Sequence, residues 1–135
     1  MADKVVFELV SPEKLLFSRD VDFVVVPGSE GDFAVLPGHA PFLSSLRPGI
    51  IEVHDEGSET TGLFVAGGFA EATPERCTVL AETAVPVAEM DRAGIEKRQA
   101  NAREDLQAHP DDAAAKAELA LAEAMLSALD GWGRA

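Results

Sequence analysis

The stretch "GIIEVHDEGSETTGLFVAGG", residues 49–68, contains two apolar runs separated by a polar turn. Its Ile, Val, Leu and Phe side chains suit a pleated, half-buried surface. Between the runs lie Asp55, Glu56, Gly57 and Ser58. Glycine tolerates a positive φ, and an aspartate can bond its own turn backbone. The stretch therefore predicts a β-hairpin.

Short runs of the same kind lie on both sides of this hairpin. From Val5 to about Val87 they are rich in Val, Phe and Ile and are interrupted by Gly, Pro and acidic residues. Many short strands without intervening helices favour an antiparallel sandwich or barrel. The predicted strands cover residues 5–10, 15–19, 21–26, 33–36, 49–54, 60–66, 68–72 and 77–81, with a short one near Val85.

The composition changes after Pro86, where β-branched residues nearly vanish and Ala, Glu, Arg, Leu and Gln dominate. The pattern predicts one helix from about residue 89 or 91 to 108, with Asp91 as its cap. Pro110 interrupts it because proline lacks the amide donor of an interior helical position. A second helix is predicted over about 112–129.

These two compositions predict two domains. A β domain occupies residues 1–87, and an antiparallel αα-hairpin occupies residues 88–135. A chain of 135 residues can bury one substantial core, which we place in the β domain. The apolar stripes of the helices are thin, which suggests a hairpin that docks on something else or detaches.

Charge and cysteine content limit the classes of partner. A formal net charge of −13 argues against a nucleic-acid binder and favours positively charged partners. The single cysteine, Cys77, cannot form an intramolecular disulfide, and we interpret it as a small apolar strand residue in a reducing compartment. No apolar window is long enough to span a bilayer, so we expect no direct membrane insertion.

The residues of catalytic and metal sites do not form recognisable patterns. His39, His54 and His109 lie in three different segments without the spacing of metal ligands. Neither a G-x-S-x-G nor a Walker-type glycine motif occurs. The glycines of "AGGFAEA", residues 66–72, fit a β-bulge or strand exchange better than a dinucleotide loop. We predict no catalytic residue, no metal site and no cofactor.

A proline-rich loop follows the run at 33–36. Pro37 and Pro41 fix φ and withhold ladder donors, while Gly38 permits a left-handed turn, so a rigid, shaped loop is expected at an edge of the sandwich. His39 in this loop could act as a ligand, as a switch or as a ring that bonds neighbouring backbone. The last is favoured.

A second glycine-bracketed loop lies upstream, in "VVVPGSEGDF". Glu30 and Asp32 place two carboxylates within it. From the residues alone we interpret it as a solvated turn.

The segments "LVSPEKLLFSRDVDFVVVPGSEGDFAVLPGHAPFLSSLRPGIIEV" and "LFVAGGFAEATPERCTVLAETA" resemble the epsilon subunit of the bacterial F-type ATP synthase, the counterpart of the mitochondrial delta subunit. The most specific features are the loops "VPGSEG" and "LPGHAP" at their mutual distance. "SPE" and "LFS" precede them, and "GGFAE" follows. The ordered set is far more specific than any one tetrapeptide.

This resemblance implies an antiparallel β-sandwich of about ten strands followed by a helical hairpin. It implies a non-catalytic central-stalk subunit, peripheral at the cytoplasmic face of the bacterial inner membrane, that binds the gamma shaft and rests on the polar loops of the c-ring. An acidic loop facing basic ring loops is electrostatically favourable. The contact residues it implies are Ser29, Glu30, Gly31, Asp32, Pro37, Gly38, His39, Ala40 and Pro41.

In some members of the family the hairpin folds over a bound ATP, using an aliphatic-Asp-x-x-Arg-Ala signature. The corresponding run here is "MDRAGI", in which Asp91 matches. Gly94 and Ile95 occupy the Arg and Ala places, and Arg92 and Ala93 are displaced by two positions, roughly 200° around a helix. The degenerate motif predicts no nucleotide site.

The family's hairpin can also extend along the shaft and contact the catalytic alpha and beta subunits, where basic residues of its second helix block hydrolysis. Here that helix holds Lys116 against Asp112, Glu118, Glu123 and Asp130. The charge has the wrong sign, so weak or absent self-inhibition is expected.

The alternative function is a stand-alone β-sandwich that binds a small ligand or acts as a hydrolase through His39 and nearby carboxylates. A His39→Ala change separates the two. An enzyme would lose turnover, whereas a coupling subunit would still assemble.

Overall fold

The computed structural model describes residues 3–132. These residues divide between Val87 and Ala88 into two compact units. The first unit is built from strands and the second from helices. Within the described residues the strands are β1 Val5–Val10, β2 Leu15–Val21, β3 Phe23–Gly28, β4 Gly31–Val35, β5 Phe42–Ser45, β6 Gly49–His54, β7 Thr61–Ala72 and β8 Arg76–Pro86. A 3-10 turn, Val87–Glu89, precedes the helices α1 Arg92–Ala108 and α2 Ala113–Gly131.

The strands form a β-sandwich, as predicted. They are hydrogen-bonded in the order β2-β1-β8-β7-β6-β3-β4. The long strand β7 belongs to both layers, because its first half pairs with β6 and its second half with β5. Most neighbours are antiparallel, but β1 and β8 run parallel. The prediction of an antiparallel sandwich is corrected for this pair. No tight turn joins β1 to β8, so the connection between them does not require an antiparallel direction.

The described residues contain eight strands where about ten were expected. The runs at 60–66 and 68–72 form one strand. Gly67 and Gly68 join them with positive φ angles of 73° and 114°, which glycine tolerates. The register with β8 is the same on both sides of the glycines, with Ala66 opposite Thr83 and Gly68 opposite Ala81, so the predicted β-bulge is absent from this pairing. The glycines lie where the other partner of β7 changes from β6 to β5, which fits the alternative prediction of a strand exchange. The runs at 77–81 and near Val85 are likewise one strand, β8.

Strand β5 was not predicted. Its four residues follow Pro41 directly and include two serines, so they lack the apolar alternation of the other strands. Pairing with the second half of β7 holds it in place.

The core lies between the inner faces of the two layers. Val5, Phe7 and Leu9 alternate with half-buried residues along β1, as expected of a strand with one core face. Cys77 is buried in this core, as predicted. Each buried Val, Leu or Phe side chain stabilises the fold by about 1.5–3 kcal/mol. The core includes Val5, Phe7, Leu9, Val21, Val24, Val26, Val35, Ile51, Val53, Leu63, Val65, Cys77 and Val79.

The helical unit is an αα-hairpin with an unequal pair of caps. The Asp112 carboxylate accepts a hydrogen bond from the Ala115 amide at 3.1 Å and caps α2. Asp91 occupies the N-cap position of α1 but makes no side-chain cap hydrogen bond. Its predicted capping role is therefore corrected, and its contribution is the backbone carbonyl that accepts from the Ile95 amide at 2.9 Å.

Candidate contact surface of the sandwich

The loop that contains Ser29, Glu30, Gly31 and Asp32 is the tight turn between β3 and β4. The ladder of these strands ends at the pair Gly28 and Gly31, so Ser29 and Glu30 form the tip. Gly31 has a φ of 130°, which favours glycine. The side chains from residue 29 to 32 are exposed. The structure thus places these four predicted contact residues together on one projecting turn.

The turn is fastened to the end of β5 and to the chain segment that follows it. The Ser29 amide donates to the Ser45 carbonyl at 2.9 Å, and the two serine hydroxyls share a hydrogen bond at 2.9 Å. Arg47 donates from Nη1 to the Gly28 carbonyl at 2.6 Å and forms an ion pair with Asp32 through Nη2. Backbone and side-chain contacts therefore restrain the turn in addition to its own ladder.

The second predicted contact loop, residues 37–41, is pinned to the turn between β7 and β8. The Gly38 amide donates to the Pro74 carbonyl at 2.7 Å, with Gly38 at a φ of 81°. The His39 ring bonds the Ala40 carbonyl through Nδ1 at 2.5 Å. A carbonyl can only accept, so Nδ1 carries the proton. This is the interpretation of His39 that the sequence favoured.

Phe42 links the two loops. Its ring meets the Phe33 ring edge-on with centroids 4.9 Å apart, and the His39 ring lies 6.4 Å away in a similar orientation. Phe33 directly follows Asp32 of the first loop. The sequence prediction missed Phe42, Ser45 and Arg47, and the available signal was their position immediately after the proline loop.

The two carboxylates of the first turn differ in their electrostatic environment. Asp32 is paired with Arg47, which offsets its charge. Among the residues that the structure describes, no basic group forms an ion pair with Glu30. The exposed turn therefore presents the Asp32 carboxylate, whose charge is offset by Arg47, and the Glu30 carboxylate, whose charge is not offset by an ion pair.

A second exposed feature crosses the outer face of the sandwich. Leu43 is 66% exposed and Phe69 is 48% exposed, and the register of β5 and β7 places both on the outer face. The register continues from Phe69 to Leu80 on β8 and from Leu80 to Val10 on β1. We call Leu43, Phe69, Leu80 and Val10 the outer apolar row. Contiguous exposed apolar surface is typical of interaction sites.

Several other side chains of the sandwich contact one another. Lys4 contacts Asp22 at 2.8 Å and also Asp55, and its hydrogen bond lowers the pKa of the Asp22 carboxyl. The His54 ring stacks on Phe23 with centroids 4.3 Å apart. Over residues 3–132, no group of three His, Cys, Asp or Glu residues is arranged to hold a metal ion.

The helical hairpin has an open groove of about 310 Å³ between α1 and α2. Its lining combines Arg98 with the carboxylates of Asp105, Asp112 and Glu118. Arg98 is held by Glu118, and Arg92 of the degenerate motif contacts Asp130 at 2.5 Å. Both arginines are thus occupied by acidic partners on α2.

None of the helices in the described part of the chain is long and apolar enough to cross a membrane.

A sandwich with restrained turns and an exposed apolar row, followed by a helical hairpin, defines a subunit of a larger assembly that acts through its surfaces. A sequence model of the "ATP synthase, Delta/Epsilon chain, beta-sandwich domain" matches residues 4–87. The chain belongs to this family, and the resemblance seen in its loops is confirmed. It is a non-catalytic subunit of ATP synthase, which sets aside the alternative of a stand-alone hydrolase or small-ligand binder.

Similar proteins share nearly the full length of the chain. The ATP synthase epsilon chain of Paramagnetospirillum magneticum is 51% identical over 132 residues, which cover 96% of this chain and 99% of the relative. The epsilon chain of Rhodospirillum rubrum is 48% identical over 129 residues, 96% of each chain.

A solved structure shows the same fold inside an assembly. A chain in the cryo-EM structure of the Euglena gracilis mitochondrial ATP synthase, which comprises OSCP, F1 and the c-ring, superimposes with a TM-score of 0.72 at 26% identity. The match covers 96% of this chain and 79% of the Euglena chain.

Proposed function

We propose that this subunit couples rotation of the c-ring to the gamma shaft, as a peripheral rotor component at the cytoplasmic face of a bacterial inner membrane. The observation that carries the proposal is the restrained turn at residues 28–32. Torque passes through a joint only if the joint resists bending, and this turn is held by its ladder and by Ser45 and Arg47. The match to a chain of an assembly that includes a c-ring supports the same role.

The two exposed features suit different partners. The turn tip, with Ser29, Glu30, Gly31 and Asp32, and the loop with Pro37, Gly38, His39, Ala40 and Pro41 are polar or conformationally stiff. We assign them to the polar loops of the ring, where Glu30 faces basic side chains. The outer apolar row suits the shaft, because the subunit must stay bound to the shaft during rotation. Burial of apolar area stabilises such a lasting contact.

We assign the sandwich, residues 1–87, to these rotor contacts and the hairpin, residues 88–135, to a minor regulatory role. In the folded hairpin the α1 arginines meet α2 carboxylates, in the pairs Arg92 with Asp130, Arg98 with Glu118 and Arg103 with Glu123. An extended hairpin would expose acidic groups on α2. These repel the acidic surface of the catalytic alpha and beta subunits that self-inhibition requires, so inhibition is weak.

The test is binding of the full chain to isolated gamma subunit and to a gamma–c-ring complex. Leu43→Asp and Phe69→Asp place a charge in the outer apolar row and are expected to weaken binding to gamma. Leu36→Asp is the matched control, because Leu36 is 50% exposed but lies outside the row. If the wild-type chain binds neither preparation, the proposed function is wrong. If Leu36→Asp weakens gamma binding as strongly as the row variants do, the assignment of the row is wrong.

A further inference from the structure

Arg47 connects two parts of the sandwich that are distant in sequence. Its guanidinium donates to the Gly28 carbonyl at 2.6 Å and pairs with Asp32, so one planar group holds both sides of the turn tip. Its own amide donates to the Pro27 carbonyl at 3.0 Å. The backbone and the side chain of Arg47 therefore bind two successive carbonyls at the end of β3.

This arrangement matters because β4 is an edge strand. It pairs with β3 alone in the strand order, so β4 has no ladder on its other edge. On the β3 side the turn is joined to the following segment by the isolated bridge of Gly28 with Leu46, and Arg47 adds a side-chain contact that reaches Asp32 on β4. A guanidinium presents several donors in a rigid fork, and such a fork fixes orientation as well as distance. A lysine at this position would offer one ammonium group with no fixed geometry.

The same contacts determine which carboxylate of the turn is available to a basic partner. Asp32 uses an oxygen on Arg47, whereas Glu30 projects from the tip. A basic partner that approaches the turn therefore meets Glu30 as its principal acceptor.

We propose that Arg47 is a positioning residue for the ring contact: it fixes the 28–32 turn and compensates Asp32, and Glu30 is thereby presented in a defined direction to a basic partner surface. This inference rests on the proposed function, because it assumes that the turn contacts the ring. It predicts that Arg47 acts through Glu30 and not through general stability of the fold.

The experiment measures binding of the full-length chain to a gamma–c-ring complex and, in parallel, to gamma alone. Arg47→Ala is expected to weaken binding to the gamma–c-ring complex by about tenfold, the size expected for loss of a hydrogen bond to a charged group. Binding to gamma alone should stay within about twofold, because the outer apolar row is untouched. Arg47→Lys should fall between wild type and Arg47→Ala. Arg19→Ala is the control, since Arg19 lies over Phe17 on β2, away from the turn.

A double-mutant cycle separates positioning from structural support. Glu30→Gln should weaken binding to the complex in the wild-type background and have little further effect when Arg47 is already Ala. Additive effects of the two changes would overturn the proposal, as would equal loss of binding to gamma alone. If the wild-type chain binds and Glu30→Gln weakens it but Arg47→Ala does not, only the positioning role fails. Absence of wild-type binding to both preparations overturns this inference together with the proposed function.

Discussion

Arg98 of α1 and Glu118 of α2 form a two-point ion pair, with Nε to Oε2 at 2.8 Å and Nη2 to Oε1 at 2.9 Å. The hydrogen bond raises the pKa of the Arg98 guanidinium and lowers the pKa of the Glu118 carboxyl. The pair joins two helices whose buried side chains are mostly alanines. Because these small side chains bury little apolar area, the ion pair helps to fix how α1 and α2 are oriented to each other.

The hairpin should lose stability in acid through Glu118. Its pKa in the folded state lies below the ordinary value of 4.5, so its contribution is complete above that value and is lost as the pH falls through the lowered pKa. Both side chains are roughly two-fifths exposed, which limits the effect to under about 1 kcal/mol. Thermal unfolding of the full chain, followed by helical circular dichroism, measures it.

Glu118→Gln should remove part of that acid sensitivity. Glu123→Gln is the matched control, because Glu123 meets Arg103 at the longer distance of 3.5 Å. Equal loss of acid sensitivity in the two variants would contradict the assignment to Glu118.

Gly68→Ala should strongly destabilise the sandwich. Gly68 has a φ of 114°, and a Cβ there would lie 1.9 Å from the Leu80 carbonyl oxygen. Backbone strain of about 1–2 kcal/mol adds to an overpacking cost of about 1–3 kcal/mol. Denaturant unfolding should therefore show a loss of roughly 3 kcal/mol.

Gly57→Ala provides the comparison for that variant. Gly57 also has a positive φ, 79°, but a Cβ there would have no neighbour within 4 Å. Gly57→Ala should therefore lower the free energy of unfolding only by the backbone strain, about 1–2 kcal/mol. Similar losses for the two variants would show that the close approach of Gly68 to Leu80 contributes nothing.

Cys77 should be inert in the folded protein. Burial excludes reagents and raises the pKa of the thiol to about 12, so almost no thiolate is present at neutral pH. A thiol-reactive dye should label the native chain only at the rate of unfolding and should label the denatured chain promptly. Fast labelling under native conditions would contradict the burial of this strand.

Removal of the hairpin should leave ATP hydrolysis nearly unchanged. Deletion of residues 89–135 takes away a second helix that carries Lys116 against four carboxylates in the segment 112–130. The reconstituted ATP synthase should hydrolyse ATP at a rate close to that of the intact complex. A several-fold rise on deletion would refute weak self-inhibition.

Local patterns predicted local structure well. The apolar run at 49–54 is strand β6, and Gly57 makes the turn that joins it to β7. Pro110 separates two helices that end within two residues of their predicted ends. In each case the signal and the structure involve residues a few positions apart, where backbone sterics dominate.

Contacts between distant segments could not be predicted in the same way. The continuity of β7 through Gly67 and Gly68 depends on how β8 pairs beside it. The parallel pairing of β1 with β8 joins residues about 70 positions apart and depends on the strands between them. Free energy from such pairings appears only when the partner strand is in place, and no short stretch of sequence encodes the partner.

The contact surface shows the same division. The proline and glycine pattern was sufficient to predict the two loops, because φ restrictions belong to single residues. Their assignment as contact loops came from the family resemblance and stays a prediction. Folding alone brought Arg47 to Asp32 and Phe42 to both Phe33 and His39, and it distinguished the paired Asp32 from Glu30. Charge compensation and ring packing act through space, so they exist only once the layers of the sandwich have assembled.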